Sequence, residues 1–218
     1  MSFSRIIKLS LVCVLAAGAN YLVHNIFVNL LRIPLFLDTV FSAAVSFAFG
    51  LSPGLVTVLL TKAAFVVGGG SFDPFILCSF AEVLLVCLLK PSRPGASAKS
   101  PDASVKVPGT KMRTLALPEA ALTSSASIFA RLMLLYIVCS VAVSVLGGII
   151  EFIYYTVLPN QKLYFSAEDT LKIGLLESGI PPLAMNILSR IPVNLVDRFI
   201  VIFGGYFISQ LRPKAVQR

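Results

Sequence analysis

The chain has 218 residues, of which 57% are hydrophobic and only 13% charged, and its formal net charge is +8. A water-soluble domain carries about 25% charged residues, so this chain has about half of the charge that a water-facing surface needs. The composition argues against a soluble enzyme, a disordered regulator and a disulfide scaffold, and it favours a protein with several membrane spans. The basic residues lie in loops and tails rather than on one face, which argues against nucleic-acid binding.

Apolar segments of spanning or near-spanning length follow one another along the chain. A bilayer core of about 30 Å requires about 20 apolar residues per helix. In a single membrane domain that covers residues 1–218, the sequence predicts six helices, at residues 6–28, 35–50, 54–67, 73–90, 128–158 and 192–211. The second and third are short and meet at Ser52-Pro53-Gly54, so we expect them to form a hairpin. The predicted fold class is an all-α integral membrane protein, a six-transmembrane-helix bundle.

Two segments do not fit a spanning helix. Residues 91–127 contain five prolines among Ser, Ala, Gly and Lys, with almost no large apolar residue before Leu115. This composition predicts a flexible cytoplasmic linker between helices 4 and 5. The stretch Gly174 to Arg190 is half apolar and is interrupted by Pro181-Pro182, which favours a re-entrant or interfacial segment over a seventh span.

The distribution of Lys and Arg predicts the orientation in the cell membrane. An even number of spans places both termini on one side, and that side and the linker carry most of the basic residues. They are Arg5, Lys8, Lys90, Arg93, Lys99, Lys106, Lys111, Arg113, Arg212, Lys214 and Arg218. The opposite side carries Arg32, Lys162 and Lys172. We therefore expect a multi-pass protein with cytoplasmic N- and C-termini.

The first segment permits a second interpretation. Arg5 and Lys8, an apolar run and Ala17-Gly18-Ala19 together resemble a cleavable secretory signal. However, apolar residues resume at Tyr21 and continue to Val28, which gives one stretch of spanning length. The sequence therefore favours a retained span over a cleaved signal.

Polar residues within the predicted spans indicate a binding site. Ionisable residues in a bilayer are costly and are functional hypotheses by default. In the predicted orientation they lie at mid-depth or in the outer half, whereas the inner halves are apolar or small, which predicts a pocket open to the exterior. The residues predicted to bind substrate are Glu82, Asn20, Glu151, Lys62, Asp38 and Asp197.

Glu82 is the strongest candidate because it lies near the middle of a span, and Lys62 is its candidate partner. The alternatives are structural: Asp38 could cap a helix, and Lys62 or Arg198 could pair with Asp38 or Asp197 to hold helices together. Aromatic residues that could receive a ring-containing or partly apolar ligand are Tyr21, Phe36, Phe72, Tyr154 and Tyr155.

Small residues in the inner halves of the first three spans predict a docking surface for a partner helix. Small side chains let helices approach closely in lipid. The candidates are Cys13, Ala17, Ser42, Ala43 and Ser46. Packing within the bundle itself is the alternative.

Motifs for catalysis, metal binding and cofactor binding are absent from the sequence. The chain has one histidine, four scattered cysteines and no P-loop, so it predicts no metal site, no cofactor and no ATP hydrolysis of its own. No phosphotransferase, H-E-x-x-H or G-x-S-x-G motif occurs, so an enzyme is not expected. Energised work requires a partner.

Short motifs follow the predicted segments in order. Residues 32–41 contain Pro-Leu-Phe-Leu-Asp-Thr, followed by a small-residue helix and the turn at 49–54, and the last run, 192–203, contains Asp-Arg. In this order the segments resemble the substrate-binding S components of energy-coupling factor transporters, in which Asp-Lys is commoner than Asp-Arg. Segments 71–75, 168–169 and 175–179 are similar to the family's outer loops. The match covers most of the chain outside 91–127.

The resemblance implies a membrane subunit that captures a vitamin-like small molecule outside the cell. It implies docking on a transmembrane coupling subunit that two cytoplasmic ATPases drive. The alternative is a membrane sensor or signalling input domain. The sequence up to Arg218 contains no output domain, which argues against this alternative.

Overall fold

The computed structural model describes residues 3–33, 35–69, 73–91, 119–157 and 167–211, and every regular element in these ranges is helical. The helices are α1 (Phe3–Leu30), α2 (Val40–Phe49), α3 (Leu51–Val67), α4 (Ile76–Leu89), α5 (Glu119–Val157), α6 (Ala167–Glu177) and α7 (Pro182–Gln210). Asn25–Leu30 in α1 and Ile200–Gly204 in α7 are wound as π-helix. The all-helical fold class is as the sequence predicts.

Three helical stretches are long and apolar enough to cross a membrane: Phe3–Leu30, Ala126–Tyr154 and Pro182–Gln210. The helices α2, α3 and α4 are apolar but have only 10–17 residues. Large apolar side chains point away from the bundle, and Leu15, Leu134 and Phe207 are more than half exposed. Contiguous apolar surface of this extent is suited to lipid rather than to water.

The boundaries of the last two predicted spans require correction. α5 begins at Glu119, so residues 119–127 of the predicted linker are helical. α7 begins at Pro182, so the helix that contains the predicted final span also includes residues 182–190 of the segment that we interpreted as re-entrant. Pro182 fits here because the first position of a helix needs no N–H donor. Residues 92–118 and 158–166 lie outside the described ranges.

The predicted hairpin of α2 and α3 turns at Gly50, slightly before Ser52-Pro53-Gly54. Gly50 has φ +97°, a left-handed conformation that favours glycine. Within the first turn of α3, a Cβ on Gly54 would lie 2.0 Å from Ser46 Oγ and 2.9 Å from Val83 Cγ1. α2, α3 and α4 therefore approach very closely here, and we call this the closed end of the bundle.

The helices alternate in direction around α2, which lies at the centre and contacts α1, α3, α4 and α7. α1, α3 and α5 run one way, and α2, α4 and α7 run the other. Pairs of contacts set these directions. Cys13–Pro53 and Asn20–Thr61 make α1 parallel to α3, and Thr39–Glu82 and Ser46–Cys87 make α2 parallel to α4. Thr39–Arg198 and Phe47–Tyr206 make α2 parallel to α7, and Ser144–Asn194 and Glu151–Arg190 make α5 antiparallel to α7. α1 and α3 therefore finish at the end opposite the closed end.

Candidate functional site

A pocket of about 330 Å³ lies at the end of the bundle where α1 and α3 finish and α4 begins, which we call the pocket end. Its volume is at the lower limit of the range for small-molecule sites, about 300–1,000 Å³. Charged, aromatic and small polar side chains line it: His24, Phe36, Asp38, Thr39, Lys62, Phe65, Asp73, Phe75, Cys78, Ser79, Val143, Arg190, Asn194 and Arg198.

Lys62 links two acidic side chains at the mouth of the pocket. Its Nζ donates hydrogen bonds to Asp38 Oδ2 at 2.8 Å and to Asp73 Oδ2 at 2.7 Å. Asp73 Oδ1 in turn accepts a hydrogen bond from the Phe75 backbone N–H at 2.9 Å, next to the start of α4. The Asp73 side chain is 36% exposed, which identifies this cluster as the accessible side of the pocket.

Arg198 forms the floor of the pocket and is almost fully buried. Its guanidinium group pairs with the carboxylates of Glu82 and Asp197, both 0% exposed. The Thr39 hydroxyl donates to Glu82 Oε2 at 3.1 Å and accepts from Arg198 Nη1 at 3.4 Å. Among the described residues, three buried side-chain atoms have no hydrogen-bond partner: Arg198 Nε, Asp197 Oδ1 and Nδ1 of His24, which also lines the pocket.

A third ion cluster supports the wall of the pocket from behind. Glu151 on α5 accepts hydrogen bonds from Lys172 Nζ at 2.5 Å and from Arg190 Nε at 2.9 Å. The Arg190 guanidinium lies over the ring of Phe75, 4.5 Å from its centroid. Gly147 makes room for this arginine, because a Cβ there would lie 3.2 Å from Arg190 Nη1.

Asn20 joins three helices outside the pocket lining. Its Nδ2 donates to Ser42 Oγ at 2.9 Å and to Thr61 Oγ1 at 3.2 Å, and its Oδ1 accepts from the Phe41 N–H at 2.9 Å. The side chain is fully buried. Both amide hydrogens are therefore used within the bundle, which is a structural role for Asn20.

The structure brings four of the six predicted substrate-binding residues to the pocket end in two clusters. Asp38 and Lys62 line the pocket, whereas Glu82 and Asp197 lie behind Arg198. Glu151 lies behind Arg190 and does not line the pocket.

The suggested pairing of Glu82 with Lys62 is not formed, because Arg198 pairs with Glu82 and Lys62 pairs with Asp38. The alternative pairings Lys62–Asp38 and Arg198–Asp197 are present. Thr39, not Asp38, occupies the N-cap position of α2.

Sequence reasoning identified one of the aromatic lining residues and missed two. Phe36 lines the pocket as suggested, but Phe65 and Phe75 were not among the candidates. Tyr21 packs against Phe65 from outside the lining, with 5.2 Å between ring centroids. Phe72 and the side chain of Tyr155 lie outside the described part of the chain. Phe75 could have been proposed from the sequence, because it lies two residues after Asp73 in segment 71–75, which resembles an outer loop of the family.

The five small residues predicted to dock a partner are all buried inside this chain: Cys13, Ala17, Ser42, Ala43 and Ser46. Cys13 Sγ contacts the Pro53 carbonyl, and Ser46 meets Gly54. They pack helices of the same bundle against one another, so the docking surface predicted from them is corrected to internal packing.

Comparison with known proteins adds no family assignment to these observations. No family model, no curated protein and no solved structure matches the chain. Within the described ranges, no group of three His, Cys, Asp or Glu side chains has the arrangement of a metal site. The fold, the pocket and the three ion clusters are therefore the basis for a functional proposal.

Proposed function

We propose that this protein is the membrane-embedded substrate-capture subunit of an ATP-driven transporter that takes up a vitamin-like micronutrient. It binds a small molecule in the pocket and docks on a transmembrane coupling subunit with cytoplasmic ATPases. The observation that carries the proposal is the asymmetry of the bundle: a polar pocket lies at one end, and close packing lies at the other. A cup of this kind captures a ligand from one side and does not conduct it.

The charge distribution supports an outward-facing pocket. α1 starts and α4 ends at the closed end, where Arg5, Lys8 and Lys90 lie, and the sequence between α4 and α5 contains five more Lys and Arg residues. The positive-inside rule assigns that end to the cytoplasm. In this proposal α1–α5 and α7 are the six spans, both termini are cytoplasmic, and α6 lies on the outer side.

The mixed lining also supports capture of a small molecule. Three phenylalanine rings and several polar side chains surround the cavity, and ligand sites combine apolar walls with a few polar groups in this way. The proposal assigns no catalytic step to the chain. The energy for release into the cell comes from the partner ATPases, since the sequence has no P-loop.

Two experiments test the proposal. The first is affinity purification from native membranes in mild detergent, which should recover a coupling subunit and ATPase subunits with this chain. As a control, an unrelated membrane protein carrying the same tag should recover none. Recovery of a signalling kinase or cyclase instead would support the sensor alternative and contradict transport.

The second experiment tests the orientation. Ser100→Cys in a cysteine-free background should react with a membrane-impermeant maleimide only after the cells are opened, because the linker is predicted to be cytoplasmic. Asp73→Cys at the pocket mouth should react in intact cells. The reverse pattern would contradict an outward-facing pocket.

A further inference from the structure

We propose that the ligand of this pocket is a small, electrically neutral, planar ring compound with a hydrogen-bond acceptor on its edge. The inference rests on the proposed function, because it names the substrate class of the same site. Three observations carry it: the pairing of every cation in the lining, the placement of the aromatic rings, and an unpartnered donor at the floor.

The charges of the lining argue for a neutral ligand. Lys62 is paired with Asp38 and Asp73, Arg190 with Glu151, and Arg198 with Glu82 and Asp197. At Arg190 and Arg198 an anionic ligand would have to displace a carboxylate and leave it buried without a partner, which is costly. At Lys62 it would meet two carboxylates that already use this cation. A cationic ligand would meet three cations in the lining, Arg190, Arg198 and Lys62, and the two lining carboxylates, Asp38 and Asp73, are already paired with Lys62.

The rings favour a planar ligand. Phe36, Phe65 and Phe75 belong to three different parts of the fold and all face the same cavity. The His24 ring packs edge-on against Phe65 with 4.6 Å between centroids, which holds Phe65 in place. The Arg190 guanidinium does the same for Phe75. Flat, fixed apolar surfaces favour a flat ligand, because a pair of aromatic rings is stabilised beyond the burial of its area.

The floor supplies a hydrogen-bond donor. Arg198 Nε is buried and has no partner among the described residues, although Arg198 lines the pocket. Nε itself is covered within the floor, so a ligand acceptor reaches it when the Arg198 side chain turns toward the cavity, and the hydrogen bond that forms then offsets the cost of a buried donor without a partner. A carbonyl oxygen or a ring nitrogen satisfies Nε without adding charge beside Glu82 and Asp197.

The volume limits the size of the ligand. At about 330 Å³, the pocket is at the small end of ligand sites, which suits one to three fused rings rather than a nucleotide. Lys62 and its two aspartate partners lie at the accessible side and would cover such a ligand once it is seated.

The test uses the full chain in lipid nanodiscs and reads thermal unfolding from the reaction of a maleimide dye with the buried Cys13 and Cys139, in a background in which Cys78, which lines the pocket, and the half-buried Cys87 are replaced by Ala. The neutral probes are nicotinamide, uracil, adenine and lumichrome at up to millimolar concentration. Nicotinate and orotate are the carboxylated counterparts of the first two, and cyclohexanecarboxamide is the non-planar counterpart of nicotinamide.

At least one neutral planar probe should raise the unfolding temperature, and its carboxylated or non-planar counterpart should need at least ten times the concentration. Phe65→Leu and Phe75→Leu should each lower the affinity for the bound probe about tenfold, whereas Phe207→Leu on the lipid-facing surface should not. Arg198→Lys keeps the charge but removes Nε, and it should weaken the same probe by at least fivefold. A merely structural Arg198 would lower the unfolding temperature of the empty protein without changing the concentration of probe required.

No stabilisation by any neutral probe, or equal binding of a carboxylated counterpart, would overturn the inference. These outcomes are distinct from failure of the proposed function, since binding to the isolated chain requires no partner. If a neutral probe binds but no ATPase co-purifies, the ligand class stands and transport fails. If ATPases co-purify but only carboxylated probes bind, transport stands and the ligand class fails.

Discussion

The two ends of the bundle are packed in opposite ways. At the closed end, α2, α3 and α4 approach so closely that a Cβ on Gly54 would overlap the side chains of Ser46 and Val83. At the pocket end, side chains as long as Lys62 and Arg198 lie between the helices and are held by carboxylates. The same helices therefore converge at one end and separate at the other.

The comparison teaches that the pocket depends on both ends. Lipid offers little hydrophobic drive for helices to associate, so small residues and polar contacts hold the bundle together. Close packing at the closed end fixes where the helices diverge, and the ion clusters stabilise the space that results. Changes at either end should therefore have effects of different size and kind.

The largest effect is expected at the floor. Arg198→Met leaves Glu82 and Asp197 buried without their shared cation, and it should cost about 3–5 kcal/mol of unfolding free energy. Denaturant titration in detergent micelles measures this loss. Adding Glu82→Gln to Arg198→Met should restore part of it, and a double variant no better than the single would argue against a shared ion cluster.

The next effect is expected at the closed end. Gly54→Ala introduces a Cβ 2.9 Å from Val83 Cγ1, and overpacking of this kind costs about 1–3 kcal/mol. Gly18→Ala is the matched control, because a Cβ on Gly18 meets nothing within 4 Å. Equal stability of the two variants, measured by the same titration, would show that the closed end is not tightly packed.

A smaller effect is expected at the pocket mouth. Lys62→Met removes the link between Asp38 and Asp73, and because Asp73 can turn to water and only Asp38 stays buried, the loss should be about 1–2 kcal/mol. The same denaturant titration measures this loss, and Lys62→Arg, which keeps a cation between the two aspartates, should lose less. Equal stability of Lys62→Met and the wild type would mean that Lys62 does not hold the mouth.

The smallest effect is expected for Asp197→Asn. This change leaves one carboxylate, Glu82, paired with Arg198 and removes the excess buried charge, so stability should change by less than about 1 kcal/mol in either direction. A loss as large as that of Arg198→Met, in the same titration, would show that Asp197 rather than Glu82 is the main partner of the arginine.

The sequence predicted the burial of polar residues more successfully than it predicted the pairs that these residues form. Glu82 was singled out by its depth in an apolar segment, and it is 0% exposed. Its partner was missed because pairing depends on how helices are arranged around α2, and Arg198 is distant in the sequence. Spacing along one helix carries no information about lateral neighbours on another.

Two further differences have local physical causes. Residues 119–127 were interpreted as linker because Leu122 is their one large apolar residue, but their alanines favour helix without contributing to a hydrophobic pattern. Small residues such as Cys13 and Ala17 have the same pattern whether they face a partner or a neighbour in the same chain. Only the packed structure distinguishes these cases.

Native mass spectrometry of the chain in lipid nanodiscs, purified from its own cells grown in rich medium, tests the central claim most directly. The account predicts one bound small molecule per chain, retained by the wild type and by Phe207→Leu. It predicts that a variant carrying both Phe65→Leu and Phe75→Leu loses this molecule while remaining folded. A folded wild-type chain without a bound molecule, or one whose bound molecule is unaffected by the two pocket substitutions, would contradict the assignment of this pocket as the capture site.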